Sequence, residues 1–452
     1  MHRALCPVET LYVGQRSRAV LSCALHGQVD TGALSAAFDA LTQAHPTLRS
    51  RIAPDGPGFA LRLLAEDERP RLITRTGGEE VHLAELNAPL PVGGPLSRAV
   101  LVSAPEGDRH LFVLVVDHTI TDGHSSIALH NAVWDHYRAL VEGGGSGGKA
   151  AATDATADAR EDCGDRPHWP QPVSRLLPAA DPAATAAYLE RRVEETRRHP
   201  VELVPFDVPR PATADAGPGA EPAGDGRIEV CRLALDEERT TRLRRTARQT
   251  GVSVHALVAA ALLTAARRRL EGDGPRTLGC LSPVDLRSRL TPALPALLMV
   301  PAVTTHLQTL GVAADTDPMA LARTVHSRLS DFIDRADQYH EMRITPEIPG
   351  NPALQLATVI VTNMGVVPGP RLPAGLRATD IRLVPAREHY FPQAGRSPVM
   401  ACVVSFEGRL AIEFPHFTAC FSPSFMQTFR DDVLAGLLTF ADVTDPLPSP
   451  AR

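Results

Sequence analysis

Residues 110–126 read HLFVLVVDHTITDGHSS, an apolar run that breaks at Asp117 and His118 and reaches Asp122-Gly123 a few positions later. Every residue from Leu111 to Val116 is apolar. A strand without alternation has no solvent face, so it belongs in a sheet covered on both sides. That constraint demands a layered α/β architecture. The helical pattern from His124 to about Val141 supplies one of the covers. A histidine where such a strand leaves the sheet stands where functional side chains gather. Imidazole, with an ordinary pKa near ~6.5, accepts a proton at neutral pH and returns it later. No G-x-S-x-G elbow accompanies it. A general base without its own nucleophile activates one carried by a substrate, which points to a transferase.

The neighbours of His118 sharpen the reading. A turn after Ile120 brings Asp122 back beneath the histidine, where it accepts backbone or arginine hydrogen bonds or caps the helix. Gly123 is expected to permit the tight turn into that helix. Asp117, on a strand, faces away from His118 and is not assigned as its partner. His118, Asp122 and His124 do not match a closed zinc pattern, and no metal is expected. The chain also lacks a P-loop and a strand-coupled G-x-G-x-x-G, which argues against nucleotide or dinucleotide chemistry.

Two further segments carry polar groups at strand ends. SPVDLRSRL (282–290) places Arg287 just past an apolar run, suited to pairing with a buried carboxylate, and Asp122 is the candidate. Its alternative is a solvated charged loop. VIVTNMGVVPG (359–369) ends in Asn363 and Gly365. The Asn363 amide can donate to a developing oxyanion, and Gly365 can admit a long substrate against the backbone. A plain strand-terminating turn is the alternative there.

With 452 residues and 44% hydrophobic composition, the chain can bury one large core or two ordinary ones. A net charge of −6 with interspersed signs leaves no footprint for nucleic acid and no basic patch for a membrane. The seven cysteines are scattered without a Cys-x-x-Cys and read as buried, reduced thiols. No signal peptide or membrane span is evident, so a soluble cytoplasmic protein is expected. The low-complexity stretch 143–172 reads as a linker between an N-terminal lobe (1–172, including that stretch) and a C-terminal lobe (173–452). A second stretch, 209–226, reads as an exposed loop. Both lobes open on a strand followed by a capped helix: RAVLSCALHG then Asp30, and RIEVCRLAL then Asp236.

DHTITDG resembles the HHxxxDG signature of the condensation-domain superfamily, which includes chloramphenicol-acetyltransferase-like enzymes and polyketide-associated acyltransferases. HPTLRSRI (45–52), GGPLSRAVLV (93–102), VSVHALVAAALLTAARR (252–268), SPVDLRSRL, VTNMG and SFEGRLAIEF (405–414) resemble its other landmarks in order. The resemblance covers nearly the whole chain outside the two low-complexity stretches, and is nearest to the stand-alone polyketide-associated acyltransferases. It implies two acetyltransferase-like lobes in a V-shaped pseudo-dimer around a central tunnel, complete as a monomer. It also implies an acyl thioester donor on a phosphopantetheine arm, from coenzyme A or an acyl carrier protein, with no bound cofactor. The acceptor is a small-molecule hydroxyl, or an amine as the runner-up. By that pattern His118 is catalytic and Asp122 is structural, paired with Arg287. Asp117 stands where the family usually carries its first histidine. A non-catalytic carrier-binding protein or a cyclase is the rival reading.

Overall fold

The computed structural model describes residues 2–143, 169–208, 226–387 and 395–441. The first part of the chain forms β1 (His2–Ala4), α1 (Pro7–Gln15), β2 (Ser17–His26), α2 (Thr31–Ala44), β3 (Ser50–Asp55) and β4 (Gly58–Leu63). β5 (Leu72–Thr76), α3 (Glu79–Asn87), β6 (Ser97–Ser103), β7 (Arg109–Asp117) and α4 (Gly123–Glu142) follow. Next come α5 (Pro182–Arg198), β8 (Val204–Pro205), β9 (Ile228–Leu235), α6 (Glu237–Thr250), α7 (Val254–Arg267) and β10 (Arg276–Asp285). Then come β11 (Val303–Val312), α8 (Pro318–Asp334), α9 (Asp337–Arg343), β12 (Val359–Val366) and β13 (Arg377–Arg387). β14 (Arg396–Ser397), β15 (Val399–Phe406), β16 (Arg409–Phe417) and α10 (Pro423–Ala441) complete the order.

Two large sheets organise these elements, in the orders β13-β2-β7-β6-β5 and β11-β10-β12-β15-β16-β9. β7 lies at the centre of the first. Its Phe112, Leu114 and Val116 pack with α2 and α4, while Val113 and Val115 pack on the opposite face with Leu86 of α3. Both faces are covered, as a run without alternation requires. In the second sheet one face is covered by α6, α7 and α10, and α7 is apolar around most of its circumference because every residue from Ala256 to Arg267 except Thr264 is buried.

Local chemistry sets the element ends. Asp30, Asp236 and Ser253 cap α2, α6 and α7 by accepting the backbone N–H of Ala33, Arg239 and Ala256. Gly251 stops α6 in the left-handed conformation. β3 and β4 form a hairpin around Pro54-Asp55-Gly56, and β15 and β16 another at Glu407-Gly408. The proposed linker lies largely outside the described residues, as does the 209–226 loop and Cys163. The six cysteines among the described residues are free, and no helix among them is long and apolar enough to cross a membrane.

Sheet membership crosses the division expected at residue 172. β13, from the second half, pairs antiparallel with β2 from Arg377 opposite His26 to Arg387 opposite Ser17. The first sheet is therefore incomplete without residues 377–387.

Buried histidines make the fold acid-sensitive. In α4, His130 Nε2 accepts the Trp134 indole N–H at 3.1 Å, so its proton sits on Nδ1, 3.0 Å from Asn131 Oδ1. Burial lowers the pKa values of His130 and His255 from 6.5 to about 4. Between about 4 and 6.5 the unfolded chain binds protons that these rings refuse, so stability falls as pH drops through that window. Urea midpoints measured from pH 7 to 4.5 should decline throughout. A pH-independent midpoint would contradict this.

Candidate active site

His118 sits one residue past the end of β7. Its backbone N–H donates to the Ser17 carbonyl at 2.8 Å, so the position stays in register with β2. Asp117 holds the turn, since its Oδ1 accepts the Thr119 N–H at 2.9 Å and its carbonyl accepts the Ile120 N–H at 3.1 Å. By strand parity Asp117 shares a face with Val113 and Val115, opposite His118. It lies opposite Arg18 in register, and burial pushes its carboxyl pKa up against the pull of Thr119, Arg16 and Arg18. The turn then descends through Thr121, whose hydroxyl lies 2.9 Å from those of both Ser125 and Ser126 in a buried cluster.

The His118 ring stacks on Tyr12 of α1, with centroids 4.3 Å apart and planes 9° from parallel. Burial, reinforced by the Arg387 charge, lowers its pKa from 6.5 to about 4. The backbone of His118 itself, Asp122 and the Thr121 backbone pull the other way. Nδ1 is buried without a hydrogen-bond partner. The imidazole is therefore neutral at pH 7 and able to accept a proton. Tyr12 stays a phenol, its pKa pushed up to about 12 by burial.

Asp122 is 2% exposed and caps α4, accepting the Ser125 N–H at 2.8 Å. The same carboxylate takes the Arg287 Nε–H at 2.9 Å and the Ala302 N–H at 2.9 Å. Arg287, 5% exposed, spends its remaining donors on the carbonyls of Pro295, Leu298 and Val300 at 2.8–2.9 Å. Each group of this buried pair is thus hydrogen-bonded as well as charge-paired, the condition under which such a pair is tolerated. It ties the start of α4 to the chain following β10.

Gly123 answers to crowding. Its φ is not left-handed, so conformational freedom for a turn, the expectation from sequence, does not explain it. A Cβ there would come within 2.6 Å of the Met364 sulfur and 2.9 Å of its methyl, with Leu383 at 3.4 Å. The far end of Met364 can swing aside, so Gly123→Ala should lower stability by no more than about 1 kcal/mol. Adding Met364→Ala should return part of that in a denaturant titration. No recovery in the double variant would reject the steric account.

Met364 belongs to a bulge between Asn363 and Val366 in β12. The bulge therefore lies against the N-terminus of α4. Asn363 Oδ1 accepts the Gly365 N–H at 2.8 Å, and Gly365 is exposed with φ +67°. The following segment is latched to α4 by Asn131 Nδ2 donating to the Pro368 carbonyl and by the Arg371–Asp135 ion pair.

The structure thus gathers His118, Asp122, Gly123 and Arg287 with the 363–365 bulge beside them. Tyr12, Arg387 and the Ala302 N–H were not read from the sequence. They come from distant segments, and no spacing links them to His118. Among the described residues no three His, Cys, Asp or Glu side chains form a group able to hold a metal ion. A cavity of about 610 Å³ lies elsewhere, against α5 and β11, and none of these residues lines it.

Residues 224–415 match the family described as "Phthiocerol/phthiodiolone dimycocerosyl transferase C-terminus". Over 428 residues the chain is 26% identical to a phthiocerol/phthiodiolone dimycocerosyl transferase from Mycobacterium leprae, covering 91% of each protein. The Mycobacterium tuberculosis protein of the same name is 25% identical, again over 91% of each. Polyketide synthase associated protein 5 from Mycobacterium tuberculosis shares the fold, with a TM-score of 0.68 at 21% identity over 97% of this chain and 98% of that one. The first condensation domain of the calcium-dependent antibiotic synthetase gives 0.69 at 17% identity, covering 98% and 97%. A trichothecene 15-O-acetyltransferase from Fusarium sporotrichioides gives 0.70 at 11% identity, covering 97% and 95%.

Proposed function

We propose that this acyltransferase, a member of the condensation-domain and chloramphenicol-acetyltransferase-like superfamily, moves an acyl group from a phosphopantetheine thioester to a hydroxyl, with His118 as general base. The observation that carries the reading is a neutral, stacked imidazole at the mouth of β7, whose loop is anchored by the Asp122–Arg287 pair. The mycobacterial relatives are named as dimycocerosyl transferases of phthiocerol and phthiodiolone, and the fungal neighbour as an O-acetyltransferase. From these names we carry over ester formation on a polyketide-like or other natural-product acceptor.

With Nδ1 buried, Nε2 is the working nitrogen. It takes the acceptor's hydroxyl proton as the oxygen bonds to the thioester carbon and the carbonyl electron pair moves onto oxygen. Collapse of that intermediate breaks the C–S bond, and the thiolate recovers the proton from Nε2. Binding both substrates together supplies much of the acceleration, and no acyl-enzyme is needed. Asn363 and Gly365, on the bulge beside α4, are the proposed lining of the acyl path. The donor is acyl-coenzyme A or an acyl carrier protein, and the protein acts in the cytoplasm as a monomer.

Thiol release from a panel of acyl-coenzyme A and carrier-bound thioesters, with hydroxyl or amine acceptors, tests the reading. Release stimulated by a hydroxyl acceptor and abolished by His118→Ala supports it. Stimulation by amines alone assigns amide formation instead. Silence with every matched pair overturns transfer in favour of a carrier-binding or cyclase role.

A further inference from the structure

A row of polar residues crosses the end of the first sheet. Arg387 of β13 lies opposite Ser17 of β2, and the Ser17 carbonyl accepts the His118 N–H. Register neighbours on adjacent strands project to one face. Parity identifies that face. Leu383 and Ile381 of β13, Ala19 and Leu21 of β2, and Leu114 and Val116 of β7 all pack toward α2 and α4. Arg387, Ser17 and His118 therefore stand side by side on the α4 side, beside the helix start that Gly123 opens. Strands are about 4.8 Å apart, so the two-strand span from Arg387 to His118 is within reach of a guanidinium arm plus one small group between them.

The row is left electrostatically unfinished. Among the described residues Arg387 has no hydrogen-bond or carboxylate partner, and its Nε is buried unpaired. Ser17 is fully buried with an unpaired Oγ, and His118 Nδ1 is unpaired as well. Arg287, by contrast, has a partner for each of its nitrogens. Three buried polar atoms without partners adjoin in this row, a place where a substrate group or a chemical role could satisfy them.

Resting on the acyl-transfer reading above, we infer that Arg387 is a further catalytic residue, whose guanidinium stabilises the oxyanion of the tetrahedral intermediate formed beside His118. In the resting enzyme burial keeps the imidazole neutral, and the neighbouring guanidinium reinforces that state because two cations side by side are unfavourable. When the acceptor proton reaches Nε2, negative charge appears on the former carbonyl oxygen at the same moment. An oxyanion between the imidazolium and the guanidinium relieves their repulsion, so the interaction is strong only in the transition state. When the C–S bond breaks, the carbonyl reforms and the proton passes from Nε2 to sulfur, restoring the starting charges.

The test compares wild type, His118→Ala, Arg387→Gln and Arg387→Lys with a saturating acyl thioester and hydroxyl acceptor, following thiol release against pH. Arg387→Gln should lower kcat by roughly 100-fold or more, the scale for losing one oxyanion donor, with little change in either KM. Arg387→Lys should recover at least about one order of that loss by keeping the charge. The acid limb of the rate profile should also move upward in Arg387→Gln, because removing a neighbouring cation raises the His118 pKa; a merely structural residue would not shift it. If kcat holds and a KM rises, Arg387 binds an anionic part of a substrate and the inference is overturned. Unchanged kinetics in Arg387→Gln with His118→Ala inactive would reject the inference alone. Activity surviving in His118→Ala would instead reject the reading beneath it. Should Arg387→Gln fold poorly, Arg387→Met carries the test, and a parental kcat with an unmoved acid limb in that folded variant counts against the assignment.

Discussion

His118→Ala lowers kcat by about two to four orders of magnitude, the scale of a lost general acid–base group. KM for the acyl donor should stay near its parental value, because the ring acts on protons rather than on the acyl chain. The structural penalty is small: an aromatic contact with Tyr12 is worth about 0.5–1.5 kcal/mol beyond its burial. Thermal melting should therefore shift little while turnover collapses. The depressed pKa adds a second signature. Because His118 is neutral from about pH 4 upward, its titration leaves the wild-type rate flat between pH 5.5 and 8 and shows as a fall only in more acidic solution. A variant that retains near-parental transfer, or a wild-type rate that falls steeply through pH 6.5, removes His118 from the chemistry.

Asp122→Ala produces the largest loss of stability expected of any single substitution in the site. It strips a buried guanidinium of its counter-charge, a change that costs about 3–5 kcal/mol, and it removes the cap of α4. Activity falls with the fold, since the helix start that supports the His118 turn is no longer pinned to Ala302 and Arg287. Pairing Asp122→Ala with Arg287→Met should restore part of the melting temperature, because an apolar pair of similar volume avoids the stranded charge. Chemical and thermal unfolding of the four forms gives the coupling directly. If Asp122→Ala melts like the parent yet is inactive, the carboxylate has a chemical role and the structural assignment is withdrawn.

The readable parts of this fold were those encoded locally. The unbroken apolar run of β7 announced a strand covered on both sides, and Asp30 and Asp236 marked helix starts through hydrogen bonds that close within a few residues. The pairing of Asp122 with Arg287 was legible as a candidate because a buried carboxylate and a strand-end arginine each need what the other offers. Gly123 was legible as a necessity, but its reason was not, since the methionine that crowds it comes from a distant strand. The same limit hid β13, whose pairing with β2 has no local signature. It also hid Tyr12 and Arg387, which reach His118 only through tertiary packing. α5, β11 and α8 carried weaker patterns and were not read as elements at all.

The pairing of β2 with β13 also has a consequence for biosynthesis. Residues 17–26 leave the ribosome about 350 residues ahead of their edge partner, 377–387. At roughly 5–20 residues per second, the nascent chain waits tens of seconds with that side of β2 open. An unpaired strand edge is a template for other chains. Holding β2 soluble until residues 377–387 emerge is a task for whatever shields the growing polypeptide, and slowing elongation between β7 and β13 should raise the fraction that aggregates.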